Sequence, residues 1–228
     1  MTEWARNYNK DILNWRFFRA LLVSLLFLAV GVVTTYFAIV YATDKASNSV
    51  TDIILSNIPV FDVDGLFVYG PVVFWVLTIL YVLLFKPKSL PFALKAVSLF
   101  LVIRSVFVSV THIGPFPTHI ALGPFSPSAF FSVFTSGSDL FFSSHTGLPF
   151  LMALIFWDNK RMRWFFLAAS VFFGAIVLLA HEHYTIDVLG AFFITYTIYH
   201  LATKFFKKDL AFGFSSGQVD RKAVPEAH

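Results

Sequence analysis

The chain has 228 residues, of which 57% are hydrophobic, 19% aromatic and only 13% charged. So little polar surface excludes a soluble globule and predicts a membrane protein. The absence of cysteine excludes disulfides, thiolate metal ligands and a cysteine nucleophile, and the formal net charge of +4 is too small to indicate nucleic-acid binding.

Six apolar stretches follow one another along the chain, and each is compared with the roughly 20 residues that a helix needs to cross about 30 Å of hydrocarbon. They cover approximately residues 17–42, 67–85, 91–110, 143–157, 164–180 and 184–206. The pattern predicts an all-α membrane protein with a polar segment at 1–16, a six-helix domain at 17–206 and a polar tail at 207–228 that we expect to be disordered. The fourth stretch is short, which predicts that its outer end lies in a shielded, partly hydrated site.

Lysine and arginine are distributed unevenly between the two sides of the predicted bundle. Fourteen of the 17 lie in the termini and in alternate connections: Arg6, Lys10, Arg16, Arg19, Lys86, Lys88, Lys160, Arg161, Arg163, Lys204, Lys207, Lys208, Arg221 and Lys222. The other connections contain only Lys45, while Lys95 and Arg104 lie inside the third stretch. Because cytoplasmic connections carry the excess of cations, we expect both termini in the cytoplasm and residues 181–183 on the periplasmic, luminal or extracellular face.

Ionisable residues concentrate at the outer ends of three predicted helices. The stretch SGSDLFFSSHTGLPF brings Asp139 and His145 to the outer mouth of the fourth helix, and HEHYTID brings His183 and Asp187 to the start of the sixth. Arg104 falls in the outer half of the third helix, because that helix enters from the cytoplasmic side. An ionisable residue inside a span costs about 2.5 to 3.5 kcal/mol on insertion scales, so each of these residues is a functional candidate.

The residue types at this site suit phosphoryl transfer. His183 and Asp187 are spaced i, i+4, so the carboxylate can accept the Nδ1 proton of the imidazole and leave Nε2 as a nucleophile. His145 can serve as a general acid for the leaving oxygen, and Arg104 supplies donors for the non-bridging phosphate oxygens. The N-terminus of the fourth helix also suits a phosphate anion, and its residues are Ser143, Ser144 and Thr146.

Other interpretations of the same residues remain open. His181 and His183 with Glu182 could form a metal site, although zinc at a working site prefers three protein ligands and the third would have to come from a distant segment. Arg104 could extend to the outer interface without a functional role. The functional interpretation is favoured because the candidate residues share one depth and one side of the membrane. We expect no metal and no cofactor.

Four motifs resemble those of a known family of lipid enzymes. DLFFSSHT at 139–146 and HYTID at 183–187 are similar to signature motifs of the type 2 phosphatidic acid phosphatase (PAP2) superfamily, and more closely to those of its sphingomyelin synthase branch. IPVFDVD at 58–64 resembles the first luminal Pro-Asp motif of that branch, and RSVFVSVTHIGPFP at 104–117 resembles its Arg-to-Pro-x-Pro motif. The resemblance covers roughly residues 50–203 and implies a six-helix bundle of the PAP2 type.

The resemblance also implies a reaction. His183 is the expected nucleophile, Asp187 its activating partner and His145 the acid-base group. Phosphocholine or phosphoethanolamine is expected to pass through a phosphohistidine from a glycerophospholipid to ceramide or a diacylglycerol-type acceptor within the lipid bilayer, with no nucleic-acid partner. The chain departs from the family at Ser144, where the motif has glycine, so a β-carbon lies where the backbone approaches phosphate.

The predicted charges favour a phosphodiester substrate. A phosphomonoester carries nearly two negative charges, whereas a phosphodiester carries one, and Arg104 is the only arginine expected at the outer depth. Asp139, Glu182 and the ring of Tyr184 are candidates for binding a cationic headgroup. Two alternatives stay open: a lipid phosphate phosphatase or phospholipase C-like hydrolase using the same residues, and a non-catalytic lipid-binding or transport protein.

Overall fold

The architecture is that of a computed structural model, which describes residues 14–119 and 140–214. Within these two ranges the chain forms helices and connections and no strand. The helices are α1 (Trp15–Lys45), α2 (Asp64–Phe85), α3 (Leu90–Val110), α4 (Ser144–Ile155), α5 (Lys160–Leu179), α6 (Thr185–Phe205) and α7 (Lys207–Gly213), and a 3₁₀ turn at Pro87–Ser89 precedes α3.

Five of the described helices are long and apolar enough to cross a membrane, namely α1, α2, α3 with its preceding 3₁₀ turn, α5 and α6. Their character supports an integral membrane protein. The remaining apolar helix, α4, has 12 residues and a length of about 18 Å, which is short of the hydrocarbon thickness. Six spans and two cytoplasmic termini therefore stay predictions.

Helices α1 and α3 run parallel and pack along most of their length. Ser24 Oγ donates to the carbonyl of Pro91 at 3.0 Å near the start of both helices, and the hydroxyls of Thr35 and Ser105 lie 3.2 Å apart further along. Small side chains at a helix interface allow the backbones to approach closely in a membrane. Arg104, next to Ser105, is therefore held near the end of α3 that leads to residues 111–119.

Helix α4 contacts α3, α5 and α6. Its side chains Leu151, Ala153 and Ile155 are fully buried, as expected for a helix that is surrounded by other helices. Helix α2 instead packs mainly on α5, where Phe74 stands edge-on to Phe166 and Phe173 at ring-centroid distances of 5.8 and 5.9 Å. The short helix α4 thus begins inside the bundle, and its first residues are screened from lipid by their neighbours.

Residues 207–213 differ from the disordered tail that we expected. They form α7, which packs against the 3₁₀ turn and α3 with Leu210 fully buried. Lys95 of α3, which is 8% exposed, pairs with Asp209 of α7 at 2.6 Å. A buried lysine requires a counterion, and α7 supplies it at the end of α3 opposite to Arg104.

Candidate active site

The turn between α5 and α6 positions the candidate nucleophile. His181 has a φ of 56°, and its N–H donates to the Leu178 carbonyl while the N–H of Glu182 donates to that of Val177, both at 3.0 Å. These are the two hydrogen bonds of a Schellman motif, in which a left-handed residue ends the helix. Helix α5 therefore stops abruptly, and His183 follows one residue before the N-cap of α6.

Asp187 closes the first turn of α6. Its Oδ2 accepts the N–H of the N-cap residue Tyr184 at 2.9 Å and lies 3.4 Å from Nδ1 of His183. The Asp187 side chain is fully buried, and its Oδ1 has no hydrogen-bond partner among the described residues. The i, i+4 spacing thus places a buried carboxylate beside the imidazole, where its charge acts in a medium of low polarity.

The hydrogen bond that orients His183 differs from the one predicted. Nδ1 lies 2.8 Å from the carbonyl oxygen of Leu140, which is nearer than the carboxylate of Asp187. A carbonyl only accepts, so Nδ1 must carry the proton, and in the neutral ring Nε2 carries the lone pair. The expected tautomer therefore results from a backbone acceptor 43 residues away, and Asp187 contributes as the neighbouring charge.

The segment 140–143, directly before α4, is where the predicted residues meet. Nδ1 of His183 donates to the carbonyl of Leu140, and Nε of Arg104 donates to the carbonyl of Phe142 at 2.7 Å. The N–H of Ser143 donates to the backbone carbonyl of Asp187 at 3.1 Å. Three contacts within four residues connect α3, α4 and α6. The structure therefore brings Arg104, His183 and Asp187 to the start of α4.

His145 lies in the first turn of α4, two residues after this segment. Its ring stacks on that of Phe67 from α2, with centroids 4.4 Å apart and planes inclined by 27°. His145 is partly exposed, whereas Phe67 is buried. One face of the imidazole is thus covered by a phenyl ring, which limits the orientations that the side chain adopts. Phe67 was not predicted from the sequence, because nothing in an apolar helix marks one phenylalanine among 30.

The predicted phosphate-binding residues divide into two groups. Ser144 is partly exposed in the first turn of α4, where helix geometry leaves backbone N–H groups without intrahelical acceptors. Ser143 and Thr146 are fully buried, and the hydroxyl of Ser143 caps α4 by accepting the N–H of Thr146 at 3.4 Å. Thr146 faces α5, with its hydroxyl beside Gly174. The structure therefore does not support a phosphate contact for the Thr146 hydroxyl.

The predicted headgroup residues have different surroundings. Glu182 is 3% exposed, and its Oε1 lies 3.3 Å from Nε2 of His119. Tyr184 is buried, and its hydroxyl donates to the Gly114 carbonyl at 2.9 Å and accepts the N–H of Val50 at 3.1 Å. These contacts give Tyr184 a structural role and leave its ring inside the protein. Asp139 lies outside the described residues.

The histidine pair on either side of Glu182 does not form a metal site with it. His181 contacts the hydroxyl of Thr118 through Nδ1, and His183 is held by Leu140 as described above. Burial lowers the pKa of His181, against a smaller opposite effect of the Ile58 backbone. Over residues 14–119 and 140–214, no group of three or more His, Asp or Glu side chains has a metal-binding arrangement.

A carboxylate that was not predicted also reaches α6. Asp52, in the connection between α1 and α2, accepts the backbone N–H of Thr185 at 2.7 Å and its hydroxyl at 2.9 Å. The Pro-Asp motif was predicted at 58–64 instead, where Asp62 is exposed and its Oδ1 accepts the N–H of Asp64 at 3.4 Å. An acidic residue in a polar connection carries no signal that would assign it to a helix 133 positions away.

One of three comparisons with known proteins found a match. The family model described as PAP2 superfamily C-terminal matches residues 137–204, a range that contains His145, His183 and Asp187. Searches of the curated proteins and of the solved structures found no match. The family match supports membership of the PAP2 superfamily and suggests a function of the lipid phosphatase or phosphotransferase type.

Proposed function

We propose that this protein is a membrane phosphotransferase that moves a phosphocholine or phosphoethanolamine headgroup from a glycerophospholipid to ceramide or a similar lipid hydroxyl. The observation that carries the proposal is the orientation of His183, whose Nδ1 is held by Leu140 while Asp187 lies beside the same ring. This arrangement presents Nε2 as a nucleophile. The proposed active face is periplasmic, luminal or extracellular.

In the first proposed step, Nε2 of His183 attacks the phosphorus of the donor lipid. The bond between phosphorus and the diacylglycerol oxygen breaks, and His145 donates a proton to that oxygen, so diacylglycerol leaves. The imidazole becomes a phosphohistidine and gains positive charge. Asp187, fully buried 3.4 Å from Nδ1, stabilises that charge.

In the second proposed step, the acceptor hydroxyl attacks the same phosphorus. His145, now neutral, takes the hydroxyl proton while the phosphorus–nitrogen bond breaks and His183 is restored. The reaction exchanges one phosphodiester for another, and no proton, water or cofactor is consumed. The stacking of Phe67 on His145 supports this double role, because it keeps the ring in place for both proton transfers.

Arg104 supports a phosphodiester as the substrate. Arg104 is 2% exposed, and its guanidinium lies beside the segment 140–143, where Nε donates to the carbonyl of Phe142. With protonated His145 and the carboxylate of Asp187, Arg104 leaves one net positive charge in the proposed site, which balances the single charge of a phosphodiester. The second charge of a phosphomonoester would need a further cation in a poorly hydrated site. Transfer from a diester is therefore favoured over hydrolysis of phosphatidate.

Glu182 is the proposed contact for the cationic headgroup. Its carboxylate is buried and precedes His183 by one residue, and its Oε1 lies 3.3 Å from Nε2 of His119. We expect Glu182→Gln to reduce the preference for choline and ethanolamine headgroups over glycerol. The comparison of phosphatidylcholine with phosphatidylglycerol as donors measures this effect, and an unchanged ratio would remove Glu182 from the headgroup site. Asp139 stays a second candidate.

The decisive experiment supplies the purified protein with ceramide and either phosphatidylcholine or phosphatidylethanolamine, and separately with phosphatidate. The proposal requires a headgroup-bearing ceramide and an equal amount of diacylglycerol. Inorganic phosphate from phosphatidate without any headgroup-bearing ceramide would instead establish a phosphatase. Diacylglycerol and free phosphocholine without transfer would establish a hydrolase of the phospholipase C type.

The nucleophile is tested with donor lipid alone and with two histidine variants. The wild-type protein should release diacylglycerol in a burst equal to the amount of enzyme and gain a phosphocholine adduct on His183 by mass spectrometry. His183→Ala should abolish the burst, the adduct and the transfer. His200→Ala is the matched control, because His200 lies near the other end of α6, where its Nδ1 contacts the Tyr196 carbonyl and its ring packs on the rings of Tyr196 and Tyr199. A fully active His183→Ala variant would refute the assignment.

A further inference from the structure

The carboxylate of Asp52 joins two segments that are distant in the sequence. Besides the two hydrogen bonds from Thr185, it accepts the N–H of Ile54 at 2.9 Å and that of Leu55 at 3.1 Å. Burial opposes the charged form, but the hydrogen bonds outweigh it and hold the pKa of Asp52 below its ordinary value. The group is therefore a carboxylate at neutral pH, and all four donors point at a negative charge.

The N-terminus of α6 is a favourable place for the carboxylate of Asp52. The first N–H groups of a helix have no intrahelical acceptor, and the helix dipole favours negative charge there. Asp187 accepts the N–H of Tyr184 from within the helix, and Asp52 accepts the next N–H, that of Thr185, from outside it. Two carboxylates thus hold successive amides of the turn that contains the candidate nucleophile.

The connection that carries Asp52 is itself fixed on the neighbouring segment. The N–H of Val50 donates to the hydroxyl of Tyr184, and the N–H of Gly114 donates to the carbonyl of Asn48 at 3.1 Å. A β-carbon at Gly114 would lie 2.3 Å from the carbonyl oxygen of Ser47, so only glycine permits this approach. Asp52 is therefore presented to α6 by a segment with several points of attachment.

We propose that Asp52 is a positioning residue that holds the first turn of α6, so that His183 and Asp187 keep their places against Leu140. Thr185 lies two residues after His183 and two before Asp187, and both its backbone N–H and its hydroxyl donate to Asp52. Loss of the carboxylate frees this turn without removing any group that touches the substrate. The expected loss of catalytic rate rests on the function proposed above, whereas the loosening of the first turn of α6 does not.

The kinetic test compares Asp52→Asn with Asp62→Asn in the full-length protein in detergent. Asp52→Asn should lower kcat roughly tenfold to a hundredfold, as expected for a misplaced nucleophile, with KM changed by less than about twofold. Asp62→Asn, on the same connection but exposed, should behave as the wild type. A kcat per folded molecule that is the same in both variants would overturn the proposal.

The Thr185 hydroxyl allows a finer test of the same contact. Thr185→Val removes the hydroxyl that donates to Asp52, whereas Thr185→Ser retains it. We expect Thr185→Ser to keep nearly full activity and Thr185→Val to lose part of it. The double variant Asp52→Asn/Thr185→Val should lose less activity than the product of the two single losses, because both changes act on one contact. Independent, multiplicative losses would contradict the proposed contact.

Two measurements test the geometry without any catalytic turnover. In Asp52→Asn the Thr185 amide should exchange with deuterium roughly tenfold faster than in Asp62→Asn, since one hydrogen bond of about 1.4 kcal/mol is lost. His183, which is 5% exposed in the intact turn, should react faster with diethyl pyrocarbonate. If the wild-type protein transfers no headgroup, these results still decide the role of Asp52, and unchanged exchange and reactivity would refute it.

Discussion

The substitution Gly147→Ala tests how closely α4, which carries His145, must pack. A β-carbon at Gly147 would lie 2.7 Å from Cε2 and 2.8 Å from Cζ of Phe100, and 2.8 Å from Oγ1 of Thr195. Ordinary contacts begin near 3.4 Å, so the groups must separate by about 0.7 Å, the difference between 3.4 and 2.7 Å. Phe100 is fully buried and stands edge-on to Phe142, so its ring has no free space to enter.

The expected effect on stability is moderate. Overpacking of a core costs about 1 to 3 kcal/mol. Alanine recovers about 1 kcal/mol through its higher helix propensity, so the net loss is about 0 to 2 kcal/mol. The effect on catalysis should be larger, because a shift of about 0.7 Å displaces His145 two residues away, and a misplacement of about 1 Å can cost about a hundredfold in rate.

Thermal unfolding in detergent and headgroup transfer from phosphatidylcholine to ceramide measure the two effects. Gly190→Ala is the matched control, since its β-carbon would lie 3.7 Å from Phe141 in ordinary contact. It should retain full activity and equal or greater stability. Adding Phe100→Leu to Gly147→Ala should restore part of the lost activity by removing the ring atoms in conflict. A Gly147→Ala protein as stable and active as Gly190→Ala would refute the reasoning.

Two further predictions concern charged groups away from the nucleophile. Asp209→Ala leaves the buried Lys95 without its counterion and should lower the free energy of unfolding by about 3 to 5 kcal/mol, as measured by thermal unfolding. The double variant Lys95→Met/Asp209→Leu should have a stability near that of the wild type. Equal losses of stability in both proteins would contradict a role for the ion pair. The Glu182 carboxylate raises the pKa of His119 above its ordinary value of 6.5, so the contact stabilises the protein fully below pH 6.5 and is lost as the pH rises through the raised pKa. His119→Gln should therefore have a lower unfolding midpoint than the wild type at low pH, and the two midpoints should converge as the pH rises. A difference in midpoint that grows with pH would contradict a stabilising contact of protonated His119 with Glu182.

Hydrophobic patterning alone located most of the helices. The stretches predicted at 17–42 and 91–110 correspond to α1 at Trp15–Lys45 and α3 at Leu90–Val110. The boundaries differ by a few residues because hydropathy marks the lipid-facing part of a helix, whereas hydrogen bonding continues into the polar ends. Hydropathy did not predict a helix at 207–213. Helix α7 depends on burial of Leu210 and on the ion pair of Asp209 with Lys95, which lies more than 110 residues earlier in the chain.

What the sequence by itself determined about the site is local: the i, i+4 spacing of His183 and Asp187, and the presence of His145 and Arg104 near the ends of two other predicted helices. Only the tertiary structure decided which atoms meet. Nδ1 of His183 donates to the carbonyl of Leu140, Nε of Arg104 donates to the carbonyl of Phe142, and Asp52 accepts the N–H of Thr185 in the first turn of α6. The physical reason is that spacing along one helix is dictated by its periodicity. Contacts between segments instead depend on how closely the helices pack and on backbone carbonyls, which every residue carries and no residue type reveals.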